Sequence, residues 1–167
     1  MNDVPVGGKM VRLYEPRLED FWFRKEFMSD IETMSYNHAW GGTIPFPESE
    51  WPRWYDHWIL CHDGKRFYRY LIKQESDEFI GEIAYHFDGE RKIWLADIIV
   101  ASLYRGRGYG TQGLALLCGE AVKNGIDVLR DLRFDYVQRH VQVAAQRHER
   151  RKVRARARVD CNGAQLE

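Results

Sequence analysis

The chain has 167 residues, 25 Lys and Arg against 25 Asp and Glu, and a formal net charge of zero. That is one domain's worth of chain with room for a sizeable core, and no apolar run approaches the length needed to cross a membrane. Cys61, Cys118 and Cys161 are too few and too scattered for a metal knuckle or a disulfide framework, which points to reduced thiols in a cytoplasmic protein.

Residues 1–9 read as a flexible leader, with Val-Pro-Val-Gly-Gly-Lys over Val4 to Lys9 and no apolar stretch of the secretory kind. Met10 to Tyr14 alternates apolar and polar residues and predicts a first strand, stopped by Pro16. Asp20 is placed to cap a helix running to about Ser29, and Ser29 to Met34 predicts a second short helical turn. Tyr36 to Pro47 reads as loop, broken by Gly41-Gly42, Pro45 and Pro47. A helix then opens at Glu48 or Ser49, with Pro52 in its first turn where a missing N–H costs little. Trp51, Trp54, Tyr55 and Trp58 recur along it at helical spacing. They read first as a core stripe; alternatively, part of the stripe lines a pocket where aromatic faces and nearby carboxylates attract a cationic amine.

Three strands follow, over Arg66 to Ile72, Phe79 to Phe87 and Ile93 to Val100, joined by the polar turns 74–78 and 88–91. The third is the most apolar and so the most central. A helix from Thr111 to about Asn124 ends at Gly125, a left-handed C-cap candidate, and Ile126 to Leu129 begins a fifth strand. Cys118 falls in an apolar stretch of that helix and reads as core. The order is β-α-α-β-β-β-α-β, a mixed α/β sheet flanked by helices.

From Leu129 onward there are ten Lys and Arg against five Asp and Glu. The stretch Val137 to Lys152, dense in Gln, His and Arg, reads as a helix, and Val153 to Val159 alternates as a strand. Segment 130–167 is thus either a diverged helix plus a strand or an out-of-frame terminus that ends early. If the segment does not complete the sheet, the fifth strand is left as an exposed edge, and the expectation is a homodimer or a weakly packed tail helix over Val137 to Lys152. The basic residues also admit a tail that binds nucleic acid, against which stands a plain solvated face.

The most informative stretch joins the central strand to the last helix: Ile98-Ile99-Val100, then Tyr104-Arg105-Gly106-Arg107-Gly108-Tyr109-Gly110-Thr111. A β-branched run ending in alternating glycines and entering a helix at once suits phosphate binding. The first helical N–H groups lack intrahelical acceptors, and glycines let backbone approach an anion. No Gly-Lys-Ser/Thr ends the turn, so it is no Walker loop, and the glycine spacing is wrong for a dinucleotide fingerprint. A purely structural strand-to-helix turn is the plain alternative.

Arg105-Gly106-Arg107-Gly108-Tyr109-Gly110 resembles the Gln/Arg-x-x-Gly-x-Gly/Ala loop of the GNAT superfamily of N-acetyltransferases, as does its lead-in Val100, Tyr104, Arg105, Gly106. The resemblance covers about residues 11–129. It implies a GNAT-like core at 10–129 with an atypical Arg-rich segment at 130–167, and a cytoplasmic, bacterial acetyltransferase of the EC 2.3.1 type. Acetyl-coenzyme A (acetyl-CoA) would be the cosubstrate, with no metal. Its pyrophosphate would lie on the turn from Arg105 to Thr111 and its pantetheine arm along Ile98, Ile99 and Val100. The acetyl group would pass directly to a primary amine of a small molecule or peptide, with neither nucleic acid nor membrane as partner. An acetyl-CoA-binding module that no longer transfers is the alternative.

Such chemistry needs a base for the ammonium proton, a polarised thioester carbonyl and a proton for the leaving sulfur. The resemblance implies a carboxylate base, a backbone N–H near Ile99 or Val100, and a Tyr beyond the fifth strand. Glu82, Asp97 and His86 are candidates for the base. Trp94 stands roughly where some relatives carry theirs, so Glu82 is preferred. Tyr136 is the candidate acid by position, while Tyr104 and Tyr109 read as packing beside the loop.

Overall fold

The computed structural model describes residues 10–131, 139–148, 152–161 and 164–165, and side chains as far as 130. The leader 1–9 and Tyr136 lie outside the described residues. Strands β1 (Val11–Tyr14), β2 (Arg66–Lys73), β3 (Phe79–Asp88), β4 (Ile93–Val100) and β5 (Val128–Asp131) lie side by side in chain order. Neighbours are antiparallel except β4 and β5, which are parallel with α3 (Tyr109–Lys123) crossing between them. This is the mixed, mostly antiparallel sheet flanked by helices that the alternating patterns predict.

The period of two sorts the sheet's side chains onto two faces. Leu71, Ile83, Tyr85, Ala96 and Val100 pack with Leu117, Cys118 and Ala121 of α3 in one core. Gly113 lets the helix settle there, since a Cβ on it would lie 2.9 Å from Leu71 Cδ1. Cys118 is fully buried and its thiol is pushed up to about 11 by that burial, in keeping with a packing role. The other face carries Tyr68, Tyr70, Ala84 and Ile99, covered by α1 (Phe21–Ser29) and α2 (Trp51–Tyr55).

Local structure departs from the sequence reading in four places. Asp20 does not cap α1. Its carboxylate accepts hydrogen bonds from the Arg17 N–H (2.9 Å) and the Tyr14 hydroxyl (2.8 Å), closing a 3-10 turn at Leu18–Asp20 instead. The predicted loop from Tyr36 is partly helical, because 3-10 turns run over Thr33–Trp40 and stop where Gly41 takes φ +105°. The aromatic helix changes pitch, passing from α2 into a π turn at Asp56–Leu60. Finally, the helix expected over 137–152 is a strand, β6 (Arg139–His148), antiparallel to β5 with Val128 opposite Gln142. Val141, Val143 and Ala145 recur at a period of two, and that pattern outweighs the polar residues between them. β7 (Lys152–Cys161) pairs β6 where Val153 to Val159 predicts a strand, and β8 (Ala164–Gln165) pairs β7. The fifth strand is therefore not an open edge, and the reason given for a homodimer is removed.

Candidate functional site

The site lies where β4 ends. Leu95 pairs with Arg130, so β5 flanks β4 on the side away from β3. The Ala101 N–H bonds to Ile80 of β3 (2.9 Å), so alternation turns the Ile99 backbone toward β3 and that of Val100 away from it. Of the two backbone positions expected to polarise a thioester, Val100 is the one turned away from β3. Ile98 faces α3, its Cδ1 3.4 Å from where a Cβ on Gly113 would stand, while Ile99 lines the opposite face.

From Val100 the chain makes a 3-10 turn (Ser102–Tyr104) and enters α3 through Gly106 (φ +73°) and Gly108 (φ +84°). Both φ values lie in the left-handed region, which a side chain makes costly. α3 has no side-chain N-cap, and its backbone ladder opens with the Gln112 N–H on the Gly108 carbonyl. The N–H groups ahead of it, at Tyr109, Gly110 and Thr111, belong to the uncapped end of a 15-residue helix, with exposed Arg107 beside them. That arrangement fits an anion such as a pyrophosphate. Tyr104 and Tyr109 stack edge-on at 6.3 Å against the α3-side core, as expected of packing residues.

The Arg105 side chain is held by backbone carbonyls. Its Nε donates to the Val100 carbonyl (2.9 Å), Nη1 to the Glu32 carbonyl (3.3 Å) and Nη2 to the Thr33 carbonyl. The side chain thus joins the end of β4 to the 3-10 segment.

On the α1/α2 side of β4 lies a cavity of about 280 Å³, walled by Tyr36, Trp54, Trp58, Tyr68, Glu82 and Asp97, with Arg24 between them. Glu82 is 7% exposed, and its Oε2 accepts from both the Arg24 guanidinium and the Tyr68 hydroxyl. Arg24 lies over the Trp54 ring, 4.5 Å from its centroid. Burial works against the charge on Arg24, but Glu82 and Tyr68 together outweigh it and hold the guanidinium above its ordinary value. Burial, then Glu82, raises the Tyr68 phenol well above its own. The aromatic stripe divides accordingly: Trp51 packs on Phe46 and Phe21, while Trp54 and Trp58, stacked at 5.5 Å, line the cavity.

Sequence reasoning missed Arg24. Its signal was an arginine on the apolar face of α1, three residues after Phe21 and four before Met28, both buried. Asp97 lies on the wall beside Glu82, since Glu82 pairs with Ile99 and Ala84 with Asp97. His86 meets Trp58 edge-on at 5.8 Å. No cluster of three or more potential metal ligands occurs among the described residues, and none of the described helices is long and apolar enough to cross a membrane.

Comparison with solved structures gives the same fold at low identity. A spermidine N-acetyltransferase from Vibrio cholerae, in complex with CoA and spermine, superposes with a TM-score of 0.60 at 15% identity, covering 74% of this chain and 71% of that one. RimL, a ribosomal L7/L12 alpha-N-protein acetyltransferase in complex with coenzyme A, gives 0.58 at 14% identity over 77% and 72%. A GNAT-family acetyltransferase from Bacillus anthracis gives 0.56 at 14% identity over 75% and 70%. No curated protein matches the sequence. The model of the acetyltransferase (GNAT) family matches residues 21–150, past the point where the motifs fade, and the chain belongs to that family.

Proposed function

We propose that the protein is an N-acetyltransferase that moves an acetyl group from acetyl-CoA to a primary amine held in the cavity beside β4. The observation that carries this reading is the uncapped N-terminus of α3, entered from the end of β4 through the left-handed Gly106 and Gly108. The α3 N–H groups and Arg107 would hold the pyrophosphate, and the Val100 N–H, turned away from β3, would polarise the thioester carbonyl. Similar folds hold CoA in the Vibrio cholerae enzyme and in RimL, which supports the assignment.

The amine must lose a proton before its lone pair attacks the carbonyl carbon; the C–S bond then breaks and the thiolate takes a proton. For the base we propose Asp97 in place of Glu82. Both line the cavity, but Glu82 is buried while Asp97 is half-buried and so the more accessible to an amine. Tyr136 is proposed as the proton donor to sulfur from its position in the chain. The acceptor is a small-molecule or peptide amine. Neighbours named for spermidine and for a ribosomal protein span both kinds.

Isothermal titration with acetyl-CoA, paired with a thiol-release assay over a panel of amines, tests the reading. Saturable binding with amine-dependent release of thiol is expected. Binding without release on any amine would favour the module that no longer transfers, and absence of binding would overturn the family-based assignment of the cradle.

A further inference from the structure

The wall of the cavity and the coenzyme turn are built from distant parts of the chain, yet three side chains fasten them together. Tyr36 and Asn37 of the wall belong to the 3-10 segment Thr33–Trp40. At the start of that segment the Glu32 and Thr33 carbonyls accept from the Arg105 guanidinium, whose Nε also holds the Val100 carbonyl at the end of β4. The Thr33 hydroxyl accepts from the Ser102 N–H at 3.0 Å. The Asp30 carboxylate accepts from the Thr33 N–H (2.8 Å) and the Ser102 hydroxyl (3.5 Å), and the bonds from Thr33 hold it below its ordinary value.

We propose that Arg105 is a positioning residue and not a phosphate ligand, tying the Tyr36–Asn37 wall of the acceptor cavity to the coenzyme turn so that an occupied turn orders the wall. The coenzyme half of this statement rests on the proposed function; the tie itself does not. All three kinds of guanidinium nitrogen go to backbone carbonyls. An arginine spent in this way offers its charge to backbone and leaves the cradle to the helix N-terminus and Arg107. The planar fork also fixes the angle between β4 and the segment, which a single lysine ammonium would not do. Ligand binding at the turn restricts Arg105 through the adjacent Gly106. The restriction passes along those bonds to residues 72 and 73 positions away in the chain, a coupling that must act equally in the reverse direction.

Hydrogen–deuterium exchange on the full chain, free and with saturating coenzyme A, reads both halves. Without ligand, Arg105→Gln should speed exchange of the amides in 33–40 by about tenfold over wild type, with β2 and β3 unchanged. Thr33→Val, which removes the Ser102 tether and the hydroxyl's bond to Asp30 but leaves the Arg105 bonds in place, should give a smaller rise in the same segment. Coenzyme A should protect both 106–112 and 33–40 in the wild type. In Arg105→Gln it should protect only 106–112, with Kd within about threefold of wild type, and Arg105→Lys should not restore protection of 33–40. Arg107→Gln should weaken coenzyme binding and leave 33–40 as it was. Unchanged exchange of 33–40 in free Arg105→Gln overturns the tie, as does a uniform rise across β2 and β3. A tenfold loss of coenzyme affinity in Arg105→Gln, with 33–40 unaltered, would make Arg105 a phosphate ligand after all. Failure of the wild type to bind coenzyme A overturns the proposed function and with it the coenzyme half, while the free-protein rates still decide the tie.

Discussion

Gly108 is the residue on which the coenzyme turn depends most. At φ +84°, any other L residue is strained, and a Cβ there would also sit 3.2 Å from Met10 Cε. Gly110 is different: its φ is not left-handed, and an added Cβ would meet Val100 Cγ2 at 3.6 Å, an ordinary contact. Gly108→Val is therefore expected to lose coenzyme binding by at least tenfold while Gly110→Ala stays within about threefold, as read by titration calorimetry on folded protein. Charge-assisted hydrogen bonds to phosphate are worth about 1.5–3 kcal/mol each, so a displaced turn that loses one of them already reaches that tenfold. Equal affinity in the two variants would remove Gly108 from the site. The base is decided at the same scale. Asp97→Asn should lower kcat by about 10²–10⁴ with an amine that the wild type acetylates, the range a general base contributes. Glu82→Gln should change kcat far less, and the reverse order would return the role to Glu82.

Between elements, the decisive contact is the buried pair of Arg24 on α1 and Glu82 on β3, 58 residues apart in the chain. Removing one partner leaves a charge in the protein interior, which costs about 3–5 kcal/mol, whereas exchanging both for apolar side chains is often close to neutral. Arg24→Met should therefore destabilise strongly in urea unfolding, and Arg24→Met with Glu82→Met should recover most of the loss. Additive losses in the double variant would show that the pair is not coupled. The same distance in sequence explains what was legible and what was not. β2, β3 and β4 announced themselves because alternation is local, and the Gly-rich turn because its chemistry sits in consecutive residues. The start of α3 was misplaced by two residues, since the left-handed position is Gly108 and Tyr109 is already helical. Where the Arg105 side chain goes was not legible, because its partners are backbone carbonyls far back in the chain. No side-chain pattern reports such acceptors.

For the whole molecule, the question is how the sheet is finished. The register from Val128↔Gln142 to Asp131↔Arg139 covers the whole of β5, and the register of β7 from Val141↔Val159 to His148↔Lys152 covers most of β6. Each pairing satisfies a row of backbone N–H and C=O groups that would otherwise template association with another chain. The two rows differ in what stands behind them. β5 carries Leu129, fully buried in the α3-side core, so freeing its edge loosens side chains worth about 1.5–3 kcal/mol each when buried. Deletion after Gln138 removes β6 and opens that edge. It should lower the melting temperature by about 4 °C or more, since each kcal/mol shifts a domain of this size by about 2–4 °C. The exposed edge should also make sedimentation concentration-dependent. Deletion after Arg151 keeps β6 on β5 and should melt within about 3 °C of the full chain, because the edge it opens belongs to an added strand and leaves the pairing of β5 intact. If both truncations melt together, near the full chain, then β6 contributes nothing to the sheet's stability. If both fall by the larger amount, β7 is as much a part of the core as β6.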